Sequence, residues 1–224
     1  LGANNKELMN LVFENKVNIN GYDTDENRLW EYLLFDYTEK DDFLEKMNFL
    51  ISKGLDLNTK SMYGDTILTK IFDSNDINRE LWTEIFEVNG IEKLINVKSD
   101  DNESPLELAL SYHGIDEKTI KLLILKGADI KLKDFEGREV IFKSLEIRNK
   151  EIVNSFLSMG ADVNAIDNNS KNLLSYAVNN SPLEIIELLV EKGADINQID
   201  NDGKGPIHYL LRDRYIDDSK EEIL

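Results

Sequence analysis

Apolar residues along this chain fall in short clusters at helical spacing. Between Glu184 and Glu191, Ile185, Ile186, Leu188 and Leu189 line one face, and Gly193 follows as a terminator. Residues 151–159 and 119–126 repeat that plan. Ser181-Pro182-Leu183-Glu184 reads as a capping box with proline at the first helical position. The two other prolines, Pro105 and Pro206, stand where further helices should begin, because a first-turn N–H has no helical partner to lose. The pattern predicts an all-α fold of short helix pairs.

The pairs recur. Gly127-Ala128-Asp129-Ile130 returns as Gly160-Ala161-Asp162-Val163 and Gly193-Ala194-Asp195-Ile196, at intervals of 33 residues. A weaker copy, Gly54-Leu55-Asp56-Leu57, lies upstream. The register residues Asn20, Asn58, Asn96, Lys131, Asn164 and Asn197 are spaced by 38, 38, 35, 33 and 33. Three places after each stand Asp23, Ser61, Ser99, Asp134, Asp167 and Asp200, short side chains able to bond a turn backbone. Six places after come Glu26, Gly64, Asn102, Gly137, Ser170 and Gly203, which suit a tight turn. Ten places after, Trp30, Leu68, Leu106, Ile141, Leu174 and Ile207 are all apolar.

These columns resemble the ankyrin repeat, whose period is about 33 residues and whose signature is Thr-Pro-Leu-His-x-Ala. Gly205-Pro206-Ile207-His208-Tyr209-Leu210 matches best, then Ser104-Pro105-Leu106-Glu107-Leu108-Ala109. The resemblance is strong from about residue 120 onward and implies an ankyrin-repeat solenoid, helix–turn–helix units with β-hairpin or turn tips. It implies a single domain over 1–224: a half-repeat at 1–15, repeats near 16–53, 54–91, 92–126, 127–159 and 160–192, and an incomplete one at 193–224. The extra residues of the long repeats fall between helices, at 36–42 and 74–79, with a shorter insertion around Gly114; they predict lengthened loops or an added helical turn. Ile216, Ile223 and Leu224 are apolar where a terminal repeat should be polar. The expectation is that the natural chain continues past Leu224 or that this end packs on another molecule.

Composition narrows the chemistry. With 26 Lys+Arg against 44 Asp+Glu the net charge is −18, which opposes binding to nucleic acid. There is no cysteine, and His113 and His208 are the only histidines, so thiolate zinc sites, cysteine nucleophiles and histidine relays are not expected. No apolar run approaches the roughly 18 to 20 residues of a membrane span. Asp134, Asp167 and Asp200 recur at the repeat period, which places them in separate hairpins with a backbone-bonding role. No phosphate loop, nucleophile elbow or His-Glu-x-x-His helix occurs. No cofactor or metal is expected.

What a repeat stack leaves for function is its hairpin tips and the outward side of its first helices. The tips carry Tyr22, Tyr63, Asp100, Asp101 and Phe135; the first-helix column reads Tyr32, Lys70, Leu108, Lys143, Tyr176 and Tyr209. Tyrosine gives large contact area at small rotamer cost, so these rings are partner-binding candidates; the alternative is that they pack over neighbouring helices. The expected function is a non-catalytic protein–protein interaction module, its acidic surface suited to a partner with a basic patch. The alternative is the regulatory or targeting part of a larger enzyme or toxin/effector system. A monomer is expected, with self-association through the C-terminal end as the other route. Asn-, Lys- and Ile-rich usage points to an A+T-rich bacterial genome, and the expected setting is cytoplasmic, or periplasmic or secreted if a signal peptide preceded residue 1.

Overall fold

The structure, a computed structural model, describes residues 17–35, 40–73, 80–111 and 115–212. The expected half-repeat helix, the 74–79 insertion, His113, Gly114 and the residues after 212 lie outside these. Among the described residues the fold is helical with no strands, and antiparallel pairing is confined to the single bridges Tyr22–Arg28, Lys133–Glu139 and Ile166–Asn172. The chain divides into two compact units, Leu1–Ala109 with Leu125–Ala128, and Leu110–Ile124 with Asp129–Leu224.

The first unit holds α1 (Leu29–Phe35), α2 (Lys40–Ser52), α3 (Ile67–Asp73) and α4 (Leu81–Glu84). Lys40 to Asp42, expected in an inserted stretch, are the first turn of α2. After α4 the chain continues as two 3-10 turns, Ile85–Glu87 and Ile91–Leu94, separated at Gly90, whose φ of 86° is left-handed. Burial outlasts the broken helix: Leu81, Trp82, Ile85, Val88, Ile91 and Leu94 are all inside, with the Trp82 ring edge-on to Phe72 at 5.3 Å. Packing of an apolar face therefore holds this segment where helix propensity does not.

Two helices carry residues of both units, α5 (Pro105–Ser111) and α6 (Glu117–Leu125). The second unit continues with α7 (Val140–Ser144) and its 3-10 extension Leu145–Ile147, then α8 (Lys150–Ser158), α9 (Leu173–Asn180), α10 (Leu183–Glu191) and α11 (Pro206–Arg212). In it α8 packs on α7 and α10, and α9 on α10 and α11.

Several first helices are capped by side-chain hydrogen bonds between the opening residue and the one three places on. Glu107 and Ser104 form a reciprocal capping box: the Ser104 N–H donates to Glu107 Oε2 (2.7 Å) and the Glu107 N–H to Ser104 Oγ (3.3 Å). Glu31 accepts the Arg28 N–H, the Asn172 side chain accepts the Ser175 N–H, and His208 Nδ1 accepts the Gly205 N–H (3.0 Å). Each such cap is worth about 1 kcal/mol. The expected box at Ser181–Glu184 does not form. Pro182 stays extended at ψ 154° as the N-cap, α10 begins at Leu183, and the buried Ser181 Oγ has no partner.

The turn columns behave as their residue types require. Asp23, Ser61, Ser99, Asp134, Asp167 and Asp200 each accept at least one backbone N–H through the side chain. Three places on, Glu26, Gly64, Asn102, Gly137, Ser170 and Gly203 all adopt left-handed φ between 63° and 82°. In the apolar column Trp30, Leu68, Leu106, Ile141 and Leu174 are no more than 2 % exposed. Ile207 departs from the column at 43 % exposure.

Candidate functional site

The first-helix column is less uniform than its spacing implies. Leu108, expected to face outward, is buried at 5 % exposure. Pro105, Leu106, Leu108, Ala109 and Leu110 make α5 apolar nearly all round, and such a helix is enclosed. Tyr32 is half exposed; Lys143, Tyr176 and Tyr209 are partly buried.

In the first unit the tip residues are tied to one another by side chains. The Tyr22 hydroxyl donates to the Lys60 carbonyl (3.0 Å), and the Arg28 guanidinium lies 3.7 Å over the Tyr22 ring while its Nε donates to that same carbonyl (2.7 Å). Lys60 pairs with Asp100 at 2.6 Å. Tyr63 stands out at 70 % exposure with the Lys70 ammonium 5.8 Å from its ring, and Asp101 is exposed.

The second unit brings Tyr176 and Tyr209 together. Each hydroxyl donates to the aspartate nine residues earlier, Tyr176 to Asp167 Oδ2 at 2.8 Å and Tyr209 to Asp200 Oδ2. The Lys171 ammonium stands over both rings, 4.1 Å from the Tyr176 centroid and 3.9 Å from that of Tyr209. Phe142 meets the Tyr176 ring edge-on at 5.2 Å. Burial, reinforced by the Asp167 hydrogen bond and charge, pushes the Tyr176 phenol up to about 12; burial and Asp200 do the same for Tyr209. Asp200 is itself held low, the Tyr209 hydrogen bond and two backbone N–H groups outweighing its desolvation. Phe135 is 74 % exposed at its tip. Among the described residues no group of three or more His, Asp or Glu converges to hold a metal ion, and no helix is long and apolar enough to cross a membrane.

Thus the candidates divide: Tyr22, Tyr32, Tyr63, Asp100 and Asp101 belong to the first unit, and Phe135, Lys143, Tyr176 and Tyr209 to the second. Sequence reasoning overlooked Lys171, which lies in no marked column, and the pairing of two columns it had marked. Asp23–Tyr32 repeats the nine-residue pairing of Asp167–Tyr176 and Asp200–Tyr209, and that offset was the available signal. It also overlooked what the register asparagines do. Asn164 Nδ2 donates to the Gly193 carbonyl (3.2 Å) while its Oδ1 accepts the Asp195 N–H (2.7 Å); Asn20 holds Gly54 and Asp56 the same way.

A family model described as ankyrin repeats (3 copies) matches residues 106–200 and 141–217, half of the chain. The chain belongs to the ankyrin-repeat family. A search of curated proteins gives no match. Among solved structures, the ankyrin repeat domain of Bcl-3, described as a unique member of the IkappaB protein family, superposes with a TM-score of 0.73 at 21 % identity, covering 91 % of this chain and 86 % of that one. The likeness shows that the ankyrin fold extends well upstream of the span the family model recognises. Ankyrin repeats are generally protein–protein interaction modules, and the fold is generally non-catalytic.

Proposed function

We propose that this ankyrin-repeat chain is a non-catalytic module that binds a protein partner through its hairpin tips and first-helix face. The observation that carries the reading is the pair Tyr176 and Tyr209: neighbouring, partly exposed rings whose hydroxyls are anchored by Asp167 and Asp200. A ring held in place before contact loses little further rotamer freedom on binding, so its contact area converts to affinity with small loss. The exposed Phe135 adds apolar area at a tip. A net charge of −18 favours a partner with a basic patch, chiefly through association rate.

Affinity capture from the source organism at moderate salt tests this. A partner retained by the parent chain should be lost by Tyr176→Ala/Tyr209→Ala at unchanged helicity, and its association rate should fall as salt rises. Retention by the double variant would remove the first-helix face from the interface. A cytoplasmic setting belongs to the same proposal, and fractionation of source cells checks it.

A further inference from the structure

We infer that Asn89 is a site of spontaneous covalent modification, at which the Gly90 amide nitrogen displaces ammonia from the Asn89 carboxamide and leaves an aspartyl or isoaspartyl residue. The observation is a difference between two copies of one dipeptide. The chain holds two Asn-Gly pairs, Asn20-Gly21 and Asn89-Gly90, both within the first unit. Glycine after asparagine brings no side chain to hinder attack by its amide nitrogen, so both pairs share the intrinsic chemistry. The fold treats them oppositely.

The Asn20 carboxamide is held at both ends: Nδ2 donates to the Gly54 carbonyl (2.9 Å) and Oδ1 accepts the Asp56 N–H (2.8 Å). The Gly21 N–H donates to the Asn18 carbonyl (3.3 Å), and Asn18 also fills the space beside Gly21, its Nδ2 lying 2.7 Å from where a Cβ would stand. Asn89, by contrast, is exposed between the two 3-10 turns. Its backbone N–H donates to Asn48 Oδ1 (3.3 Å), but its carboxamide and the Gly90 N–H make no hydrogen bond among the described residues. Chain neighbours apart, the nearest atom to a Cβ built at Gly90 is Leu57 Cδ1 at 3.8 Å, so a five-membered ring has room to close.

In the step the bond from Gly90 N to Asn89 Cγ forms, the Cγ–Nδ2 bond breaks, and the amide proton leaves with the amino group as ammonia. Water then opens the cyclic imide at either carbonyl. Opening at Cγ gives aspartate; opening at the main-chain carbonyl gives isoaspartate, whose backbone runs through Cγ and is one methylene longer. Water is the only co-reactant, and either product adds one negative charge. The insertion falls between Val88 and Ile91, buried at 2 % and 1 % exposure, so the lengthened chain displaces one or the other from a close-packed core.

The test incubates the full chain at mildly alkaline pH in water enriched in heavy oxygen, then maps its peptides by mass spectrometry with fragmentation that separates isoaspartate from aspartate. In the folded chain the Asn89 peptide should take up heavy oxygen as a mixture of the two acids, roughly tenfold faster than the Asn20 peptide, because two hydrogen bonds must break before Asn20 can react. In denaturant the two pairs should convert at similar rates. Asn89→Gln should abolish conversion at this position and hold its melting temperature through the incubation, while that of the parent falls. Equal rates at both pairs in the folded chain overturn the inference, as does an Asn89 that converts in denaturant but not in the folded chain. A converted parent that melts with the incubated Asn89→Gln variant would overturn the displacement of Val88 or Ile91.

Discussion

Neighbouring hairpins are joined differently in the two units. In the second, backbone meets backbone: the Asn168 N–H donates to the Glu136 carbonyl (2.8 Å) and the Asn201 N–H to the Asn169 carbonyl (2.9 Å). In the first, side chains make the link, through Tyr22 and Arg28 on the Lys60 carbonyl and Lys60 on Asp100. The register spacing differs in parallel, 33 residues in the second unit against 38 and 38 in the first. A constant repeat length brings equivalent backbone groups to equivalent places, so one bond pattern serves every junction. In the unit whose spacing drifts, side chains make the links. The family model, which matches 106–217, follows the regular spacing, whereas the fold persists without it.

The largest test of that contrast is made in the cores. Phe156 and Trp82 are 0 % and 3 % exposed, one on a continuous helix and one at the start of the broken segment. Truncation of either to alanine should cost about 3–5 kcal/mol in denaturant unfolding. If Trp82→Ala cost much less, packing would not be what holds the broken segment.

The turns should separate the units more finely. Gly137 and Gly64 have similar φ, 77° and 82°, but an added Cβ would meet different neighbours. At Gly137 it would lie 2.1 Å from Asn168 Oδ1 and 3.1 Å from the Asn168 backbone N that makes the interhairpin bond; at Gly64 its three nearest neighbours all belong to the Asp100 side chain, at 2.2–2.4 Å. Gly137→Ala should therefore cost roughly 2–3 kcal/mol and Gly64→Ala roughly 1–2 kcal/mol, the exposed carboxylate being free to swing away at the loss of its Lys60 pair. Equal melting shifts would refute the distinction between backbone and side-chain joints.

A pH titration reads the tyrosines of the second unit directly. Phenolate absorbance should show Tyr176 and Tyr209 ionising near pH 12, above the ordinary value of about 10. Because the folded chain holds these protons more tightly than the unfolded one, their stability contribution is complete below about pH 10 and is lost as pH climbs through about 12. Asp200 and Asp23, held low by their tyrosine partners, work in the opposite direction: their contribution is present above the usual carboxylate range and lost as pH falls through the lowered values. Tyr176→Phe and Tyr209→Phe should each remove one late-ionising phenol from the titration.

The smallest effect lies at the non-glycine turns. Ser170 and Glu26 adopt φ of 63° and 66°, where L-residues are strained and glycine is not. Ser170→Gly and Glu26→Gly should each raise stability by about 0.5 kcal/mol, the relief exceeding the unfolded-state entropy that glycine adds. Asn102→Gly should change little, since asparagine tolerates this conformation. A clear loss in all three would mean the side chains at these positions make contacts that outweigh the strain.

Much of this architecture was legible because repeats print the same physical demand several times. The turn-bonding column, the left-handed column and, Ile207 apart, the apolar column each hold across both units, and Pro105 and Pro206 begin helices as their missing N–H requires. Single-copy features misled. Ser181–Glu184 has the residues of a capping box, but the extended Pro182 sets the helix start one residue too late for it. Leu108 shares the spacing of the tyrosines, yet lies in a helix buried at every position from Pro105 to Leu110.

The sequence by itself determined the repeat, its register, the turn chemistry and the nature of the core, because these depend on neighbours a few residues apart and recur. Only the tertiary structure decided that Asp167 and Asp200 orient Tyr176 and Tyr209, that Lys171 stands over both rings, and that Asn164 clasps the loop of the following repeat. The reason is geometric. Helix and turn formation are local, whereas Lys171 meets the Tyr209 ring, and Asn164 the following loop, only after successive repeats have stacked.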